Sequence, residues 1–448
     1  MRTQSFLAIL FGIIITASCS AKQANLSKGK QRHCVVASDA HHTYEIYLPT
    51  GYDSTKTYPV IFSFDSHGNG SVAIAGFKQA ADRFGFVIVG SNYIRNGIAD
   101  YDKIITSLVT DVKNRFPVDA KAQYTAGFSG GARMANYYGL QNQYTGIISC
   151  GAGFKQKDIQ GTGVVIYIYN IAGTRDCNFA ETAYLPGSNE CSTDKYLTQS
   201  FIGIHEWPTT KVLTDAVEFM YVRLLIDKIR DNKPVSLSTI LDEKKAQIDS
   251  LSKTHDTYNL YKTLEISSKM FAGTDDGTDF AEKMKKLDDD KTFMASLETK
   301  QQALQMEILL NEGYVRAMKE ESLSWWTNEL KALNDSIKSN RKSDMNDMMF
   351  RAKAYIGMIC FSYTSAAAKK KDIPELEKLL AIYQMSEPKN PDVYYYKSMY
   401  FLLKNQKDSV LSNMKKAYSF GFEDSVRLRS DFPAEMVTQI NQYAPQHH

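Results

Sequence analysis

The sequence predicts an α/β fold, a mostly parallel sheet flanked by helices over residues 33–229, followed by an all-α domain over residues 230–448. Three observations predict it. Buried-strand runs alternate with helical-period runs through the first half. The composition shifts near Asp231-Asn232-Lys233-Pro234 to a chain rich in Lys, Glu, Asp, Leu and Met, with few β-branched runs. The total of 448 residues also exceeds what one average core organises.

The elements follow in order. Tyr44 to Leu48 alternates like a strand, and Pro59 to Phe64 is a buried-strand run ending in the turn Asp65-Ser66-His67-Gly68-Asn69-Gly70. Phe86 to Val89 is a second buried strand. Tyr101, Ile104, Ile105, Leu108, Val109, Val112 and Phe116 recur at helical spacing. Gln123 to Ala126 is a short strand running into Gly127-Phe128-Ser129-Gly130-Gly131, with a helical run from Ala132. Gly146 to Cys150 and Val164 to Tyr169 are later strands. Strands interleaved with helices in this way favour parallel pairing with both faces covered. Beyond residue 234 the chain reads as helices to its end, interrupted by a loop at Asp275-Asp276-Gly277, and charge runs such as Lys283 to Lys291 read as solvated helix faces.

Composition excludes some classes of function. Hydrophobic residues are 43% and charged residues 23% of the chain, ordinary values for a globular protein. A formal net charge of +3 gives no reason to expect a nucleic-acid partner. No internal run reaches the ~20 apolar residues of a membrane helix. The cysteines beyond Cys19 are Cys34, Cys150, Cys177, Cys191 and Cys360, none in a CxxC or Cys/His spacing, so no metal is expected. Cys177 and Cys191 share one loop-like stretch and could pair.

Gly127-Phe128-Ser129-Gly130-Gly131 fits G-x-S-x-G between a strand and a helix. A serine at so sharp a turn needs neighbours without bulky Cβ groups, and the turn aims both its hydroxyl and the helix N-terminus at one point. A serine hydroxyl is a weak nucleophile without a base. His205 is the one histidine between Ser129 and the helical half, in Gly203-Ile204-His205-Glu206-Trp207-Pro208, and is the candidate base. Asp176 ends the run Tyr167 to Asn170 and Ile171-Ala172-Gly173-Thr174-Arg175, at a strand's carboxyl end, and is the candidate to orient the histidine; Asp194, Glu181 and Glu190 are its rivals. The oxyanion donors are expected to be the amides of Gly130 and of Ser66 or His67.

Residues from about Tyr44 to Lys228 resemble the α/β-hydrolase superfamily. Gly127 to Ala135, Gly173-Thr174-Arg175-Asp176 and His205-Glu206-Trp207-Pro208 are similar to the secreted polyhydroxybutyrate-depolymerase and feruloyl-esterase group. The resemblance implies a serine esterase working through an acyl-enzyme, with no cofactor and a small-molecule or polysaccharide-linked ester as substrate. A peptidase or amidase on the same three residues is the first rival. A non-catalytic, surface-anchored interaction protein is the second.

The N-terminus resembles a bacterial lipoprotein signal over residues 1–19. Arg2 precedes an apolar run from Phe6 to Ile15, and Thr16-Ala17-Ser18-Cys19 resembles the lipobox, with Cys19 as the lipidated residue. Residues 20–32 read as a tether. This implies a membrane partner through the lipid anchor and a place in the bacterial cell envelope, at the outer membrane or its periplasmic face; ordinary secretion is the alternative. Residues from about Gly357 to 424 resemble tetratricopeptide hairpins, in two segments about 34 residues apart. Tyr394, Phe401, Val410, Met414 and Ala417 take packing positions in the second segment, and Pro388 closes the first. That half is the expected site for a protein partner.

Overall fold

A computed structural model describes residues 28–154, 166–183, 195–229, 234–339 and 343–444. Cys19, with the rest of the expected signal, and Cys191, Glu190 and Asp194 lie outside them. An eight-stranded sheet forms in the order β1-β2-β4-β3-β5-β6-β7-β8. Its strands are β1 (Gln31–Val36), β2 (Asp39–Tyr47), β3 (Tyr58–Phe64), β4 (Val87–Ser91), β5 (Val118–Phe128), β6 (Gly146–Cys150), β7 (Tyr167–Gly173) and β8 (Tyr196–Phe201). At one edge β1 pairs antiparallel with β2 and β2 pairs antiparallel with β4; the remaining pairings are parallel.

The strand sequences explain this arrangement. Every residue of β3 is buried, as expected of a strand covered on both faces. Ile61, Ile88, Tyr124, Ile148 and Tyr169 pack on one face. Val60, Phe62, Phe64, Val87 and Val89 pack on the other. The first face is covered by α1 (Gly70–Ala75), α2 (Lys78–Phe84) and α6 (Thr210–Ile226); the second by α3 (Tyr101–Arg115) and α4 (Gly130–Gln141). A short α5 (Phe179–Ala183) follows β7.

Beyond α6 come α7 (Leu237–Lys253), α8 (Thr257–Met270), α9 (Asp275–Lys286), α10 (Lys291–Glu320), α11 (Leu323–Ser339), α12 (Asp344–Lys370), α13 (Ile373–Ser386), α14 (Pro391–Leu403), α15 (Lys407–Ser419), α16 (Ser425–Asp431) and α17 (Ala434–Ile440). The change of composition near residue 231 is not the edge of the apolar core. Ile240, Ile248, Leu260, Leu264, Phe271 and Phe280 of the next helices pack into the same cluster as α2 and α6. Hence α6 is buried nearly all round, with the sheet on one side and these helices on the other. A separate core runs from Tyr314 to Ile440.

Asp275-Asp276-Gly277 is the first turn of α9 rather than a loop. The Thr274 hydroxyl caps it, accepting from the Gly277 amide at 3.2 Å, and the two acidic residues complement the helix dipole. The segments resembling tetratricopeptide hairpins fall on α12 with α13 and on α14 with α15. At 27 residues, α12 is longer than a helix of a 34-residue repeat. Among the described residues no helix is long and apolar enough to cross a membrane.

Candidate active site

Ser129 stands between the end of β5 and the start of α4 with φ 54° and ψ −119°. Positive φ on a residue with a Cβ costs about 1 kcal/mol or more and persists where the surroundings enforce it. They do so here through contact. A Cβ on Gly127 would lie 2.5 Å from the Gly131 carbonyl carbon, and one on Gly131 would lie 2.1 Å from the Phe64 carbonyl oxygen. A Cβ on Gly130 would come 1.6 Å from Asn96 Oδ1. The Ser129 amide donates to the Cys150 carbonyl at 2.9 Å. Although Ser129 is the N-cap of α4, its hydroxyl makes no capping bond.

That hydroxyl lies 2.8 Å from His205 Nε2. On the other side of the ring, Nδ1 is 2.8 Å from Asp176 Oδ1. Three residues spread over 76 positions of chain thus meet at the carboxyl ends of β5, β7 and β8. Asp176 is fully buried, and its Oδ1 also accepts from the Asn178 amide at 2.8 Å. The His205 ring packs on Phe128, centroids 4.7 Å apart, and its side chain keeps 30% exposure. Of the rivals to Asp176, Glu181 is turned elsewhere: it pairs with Arg133 at 2.7 Å and accepts from the Gly153 amide.

The turn after β3 approaches the same point. Asp65 Oδ1 accepts from the His67 amide at 2.9 Å, and Oδ2 accepts from the Trp207 indole at 3.0 Å. Burial by itself would raise the Asp65 carboxyl; the bonds from His67 and Trp207 outweigh it and hold the group below its ordinary range. The Asp65 hydrogen bond in turn raises the His67 imidazole. With the His67 amide committed to Asp65, the Ser66 amide has no acceptor among the described residues, leaving it available alongside Gly130.

Sequence reasoning missed Asp65 and Trp207 as a tie between the β3 turn and the His205 loop. It also missed Gly151, at φ 61°, where a Cβ would meet Phe128 Cε2 at 2.7 Å, Asp176 Oδ2 at 3.1 Å and His205 Cε1 at 3.2 Å. A glycine directly after a strand was the available signal. Potential metal ligands within 4.8 Å of one another, among the described residues, are Asp176, Cys177 and His205. Both His205 ring nitrogens already have partners, and burial pushes the Cys177 thiol up, away from the thiolate a metal prefers. Among the described residues Cys34, Cys150, Cys177 and Cys360 are buried free thiols.

The helical half reaches this site. Between α4, α5, α10 and α12 lies a cleft of about 790 Å³, lined by Arg133, Cys177, Asn178, Glu181, Ile308, Asn311, Tyr355 and Met358 among others. Arg133 stands one helical turn past Ser129, and Cys177 follows Asp176 directly.

No protein-family model matches the chain, and no curated protein does. Solved structures are similar to its first part. FphF, a fluorophosphonate-binding serine hydrolase of Staphylococcus aureus, aligns at 12% identity over 43% of this chain and 97% of its own, with a TM-score of 0.35. A ferulic acid esterase aligns at 16% identity over 43% of this chain and 97% of its own, with a TM-score of 0.37. A putative dipeptidyl aminopeptidase IV of Bacteroides ovatus aligns at 13% identity over 43% of this chain and 35% of its own, with a TM-score of 0.33. The sheet order, the strand–Ser129–helix turn, and the placing of Asp176 after β7 and His205 after β8 make the first part of the chain an α/β-hydrolase fold.

Proposed function

We propose that the chain is a serine hydrolase that cleaves carboxylic esters through an acyl-enzyme. The hydrogen-bond chain from Ser129 through His205 to Asp176, 2.8 Å at each link, carries this reading. Ser129 Oγ attacks the ester carbonyl while His205 Nε2 takes its proton. Asp176 holds the ring by Nδ1 and stabilises the imidazolium. Negative charge forming on the carbonyl oxygen faces the amides of Gly130 and Ser66 at the N-terminus of α4. The C–O bond breaks, and the leaving alkoxide takes the proton back from His205. Water, deprotonated by the same imidazole, then releases the acid and restores Ser129.

The test is hydrolysis of p-nitrophenyl acetate by the purified protein, with fluorophosphonate labelling. Ser129→Ala should lower kcat by at least about 1,000-fold and remove the label. Activity surviving that change rejects the reading. The matching p-nitroanilide decides between ester and amide, and faster cleavage of the anilide would favour the peptidase or amidase alternative. We also propose that Cys19 carries a lipid anchor and that the protein sits on the bacterial envelope. The small residues ahead of that cysteine support this.

A further inference from the structure

The turn that carries Asp176 is gripped from the helical domain. Arg351 of α12 donates from one terminal nitrogen to the Thr174 carbonyl at 2.7 Å, a contact 177 residues apart in the chain. Its Nε donates to Glu307 Oε2 of α10 at 2.8 Å, and its other terminal nitrogen lies 2.6 Å from the same oxygen. The guanidinium also covers the Phe179 ring, 4.4 Å from its centroid. Beside it Arg175 Nε donates to Asp347 Oδ1 at 2.7 Å and lies over Phe350 at 4.1 Å. Asp347, Phe350 and Arg351 recur at three- and four-residue spacing, so they share one face of α12. The far side of the turn is held to the His205 loop. The Thr174 amide donates to the Phe201 carbonyl at 2.8 Å, and the Arg175 amide to the Gly203 carbonyl at 2.9 Å.

Arg351 is 6% exposed and Glu307 is fully buried. An ion pair this deep loses its hydration, and apolar residues of similar volume often hold two elements together as well or better. A pair kept only for adhesion would therefore be a poor choice. Unlike an apolar residue, the guanidinium can spend one fork on the Glu307 carboxylate and a separate N–H on the Thr174 carbonyl. That carbonyl lies two residues before Asp176, whose own amide donates back to Gly173 at 3.0 Å. Fixing its peptide plane fixes where the Asp176 carboxylate stands relative to His205.

We propose that Arg351, set by Glu307, is a positioning residue for Asp176, and that the helical domain is in this way a working part of the hydrolase. The proposal rests on the reading of Ser129, His205 and Asp176 as the reacting triad. Displacement of a reacting constellation by about 1 Å can cost about 100-fold in rate. Loss of the Arg351 bond to the turn should accordingly lower kcat by about 10- to 100-fold, with KM changed less than about twofold.

The decisive variant is Glu307→Leu with Arg351→Met, which removes the pair without changing net charge. Its melting temperature should stay at or above that of the unchanged protein, while kcat for p-nitrophenyl acetate falls as stated. Its KM for that substrate should change less than about twofold, so that the loss falls on kcat. An unchanged kcat in this variant overturns the proposal. Should circular dichroism show the double variant unfolded, Arg351→Lys takes its place. It keeps a charge beside Glu307 but lacks the fork, so a lowered kcat at unchanged melting temperature supports the proposal and an unchanged kcat overturns it. Ser129→Ala, run in parallel, separates the two claims. Activity indifferent to Ser129 sinks the triad reading, whereas activity that needs Ser129 but ignores Arg351 sinks the positioning role alone.

Discussion

Gly151 shows how little room surrounds Asp176 and His205. Its φ of 61° and the three close approaches to Phe128, Asp176 and His205 leave no space for a methyl group. Gly151→Ala should therefore lower kcat on p-nitrophenyl acetate by about 10- to 100-fold, at a stability loss of about 1–2 kcal/mol in urea. Full activity would show that the Asp176–His205 geometry tolerates displacement. Asp65 supplies a pH test. Its folded-state pKa lies below its ordinary value of 3.8, held there by His67 and Trp207 against the effect of burial. A depressed carboxyl contributes stability that is present above about pH 4 and fades as pH falls through the folded value. Asp65→Asn should thus be less stable at pH 7 by about 1–3 kcal/mol, with the gap closing toward pH 3. Urea midpoints measured across pH decide it, and parallel curves would refute the assignment.

Among the elements, α7 to α9 behave as part of the apolar core of the sheet although they follow the shift in composition. Phe280 of α9 is fully buried and packs on Phe271, ring centroids 6.0 Å apart. Phe280→Ala should destabilise by about 3–5 kcal/mol. The loss should appear in the urea midpoint for the proposed esterase activity, because the residue shares a cluster with α2 and α6. An activity midpoint that does not move would mean that these helices unfold apart from the sheet. The elements most readily legible in the sequence were those with a strong local period: β3, β4, β6, α3, and the β5–α4 turn. β8 was missed because Thr198, Gln199 and Ser200 dilute its apolar pattern; only its pairing with β7 makes it a strand. β1 begins at Gln31, within the stretch read as tether, and owes its existence to β2.

The whole molecule has two large apolar territories, one around the sheet with α6 to α9 and one from Tyr314 to Ile440, joined beside Asp176 by charged contacts. A junction of this kind makes the helical half a neighbour of the proposed triad rather than a separate appendage. The proposed anchor belongs to the same scale, since it would set where the whole protein acts. Labelled palmitate should enter the protein in bacterial cells, and Cys19→Ala should abolish both that label and membrane sedimentation. A variant still labelled or still sedimenting with membranes would dismiss the anchor.

Local features were legible in the order of residues alone. Apolar periodicity showed the alternating strands and helices, the small residues of Gly127 to Gly131 marked the sharp turn at Ser129, chain order singled out His205, and a place at a strand's carboxyl end favoured Asp176 over its rivals. Each rests on constraints that act within a few residues or on the succession of elements. Features that depend on groups brought together from far along the chain emerged only on folding: the Asp65–Trp207 tie, the crowding at Gly151, the continuation of the core into α9, and the reach of Arg351 to Thr174. Nothing in a local pattern encodes which distant donor a carbonyl will meet. That pairing is settled when packed helices choose a face, and the energy that chooses it is spread over the whole core.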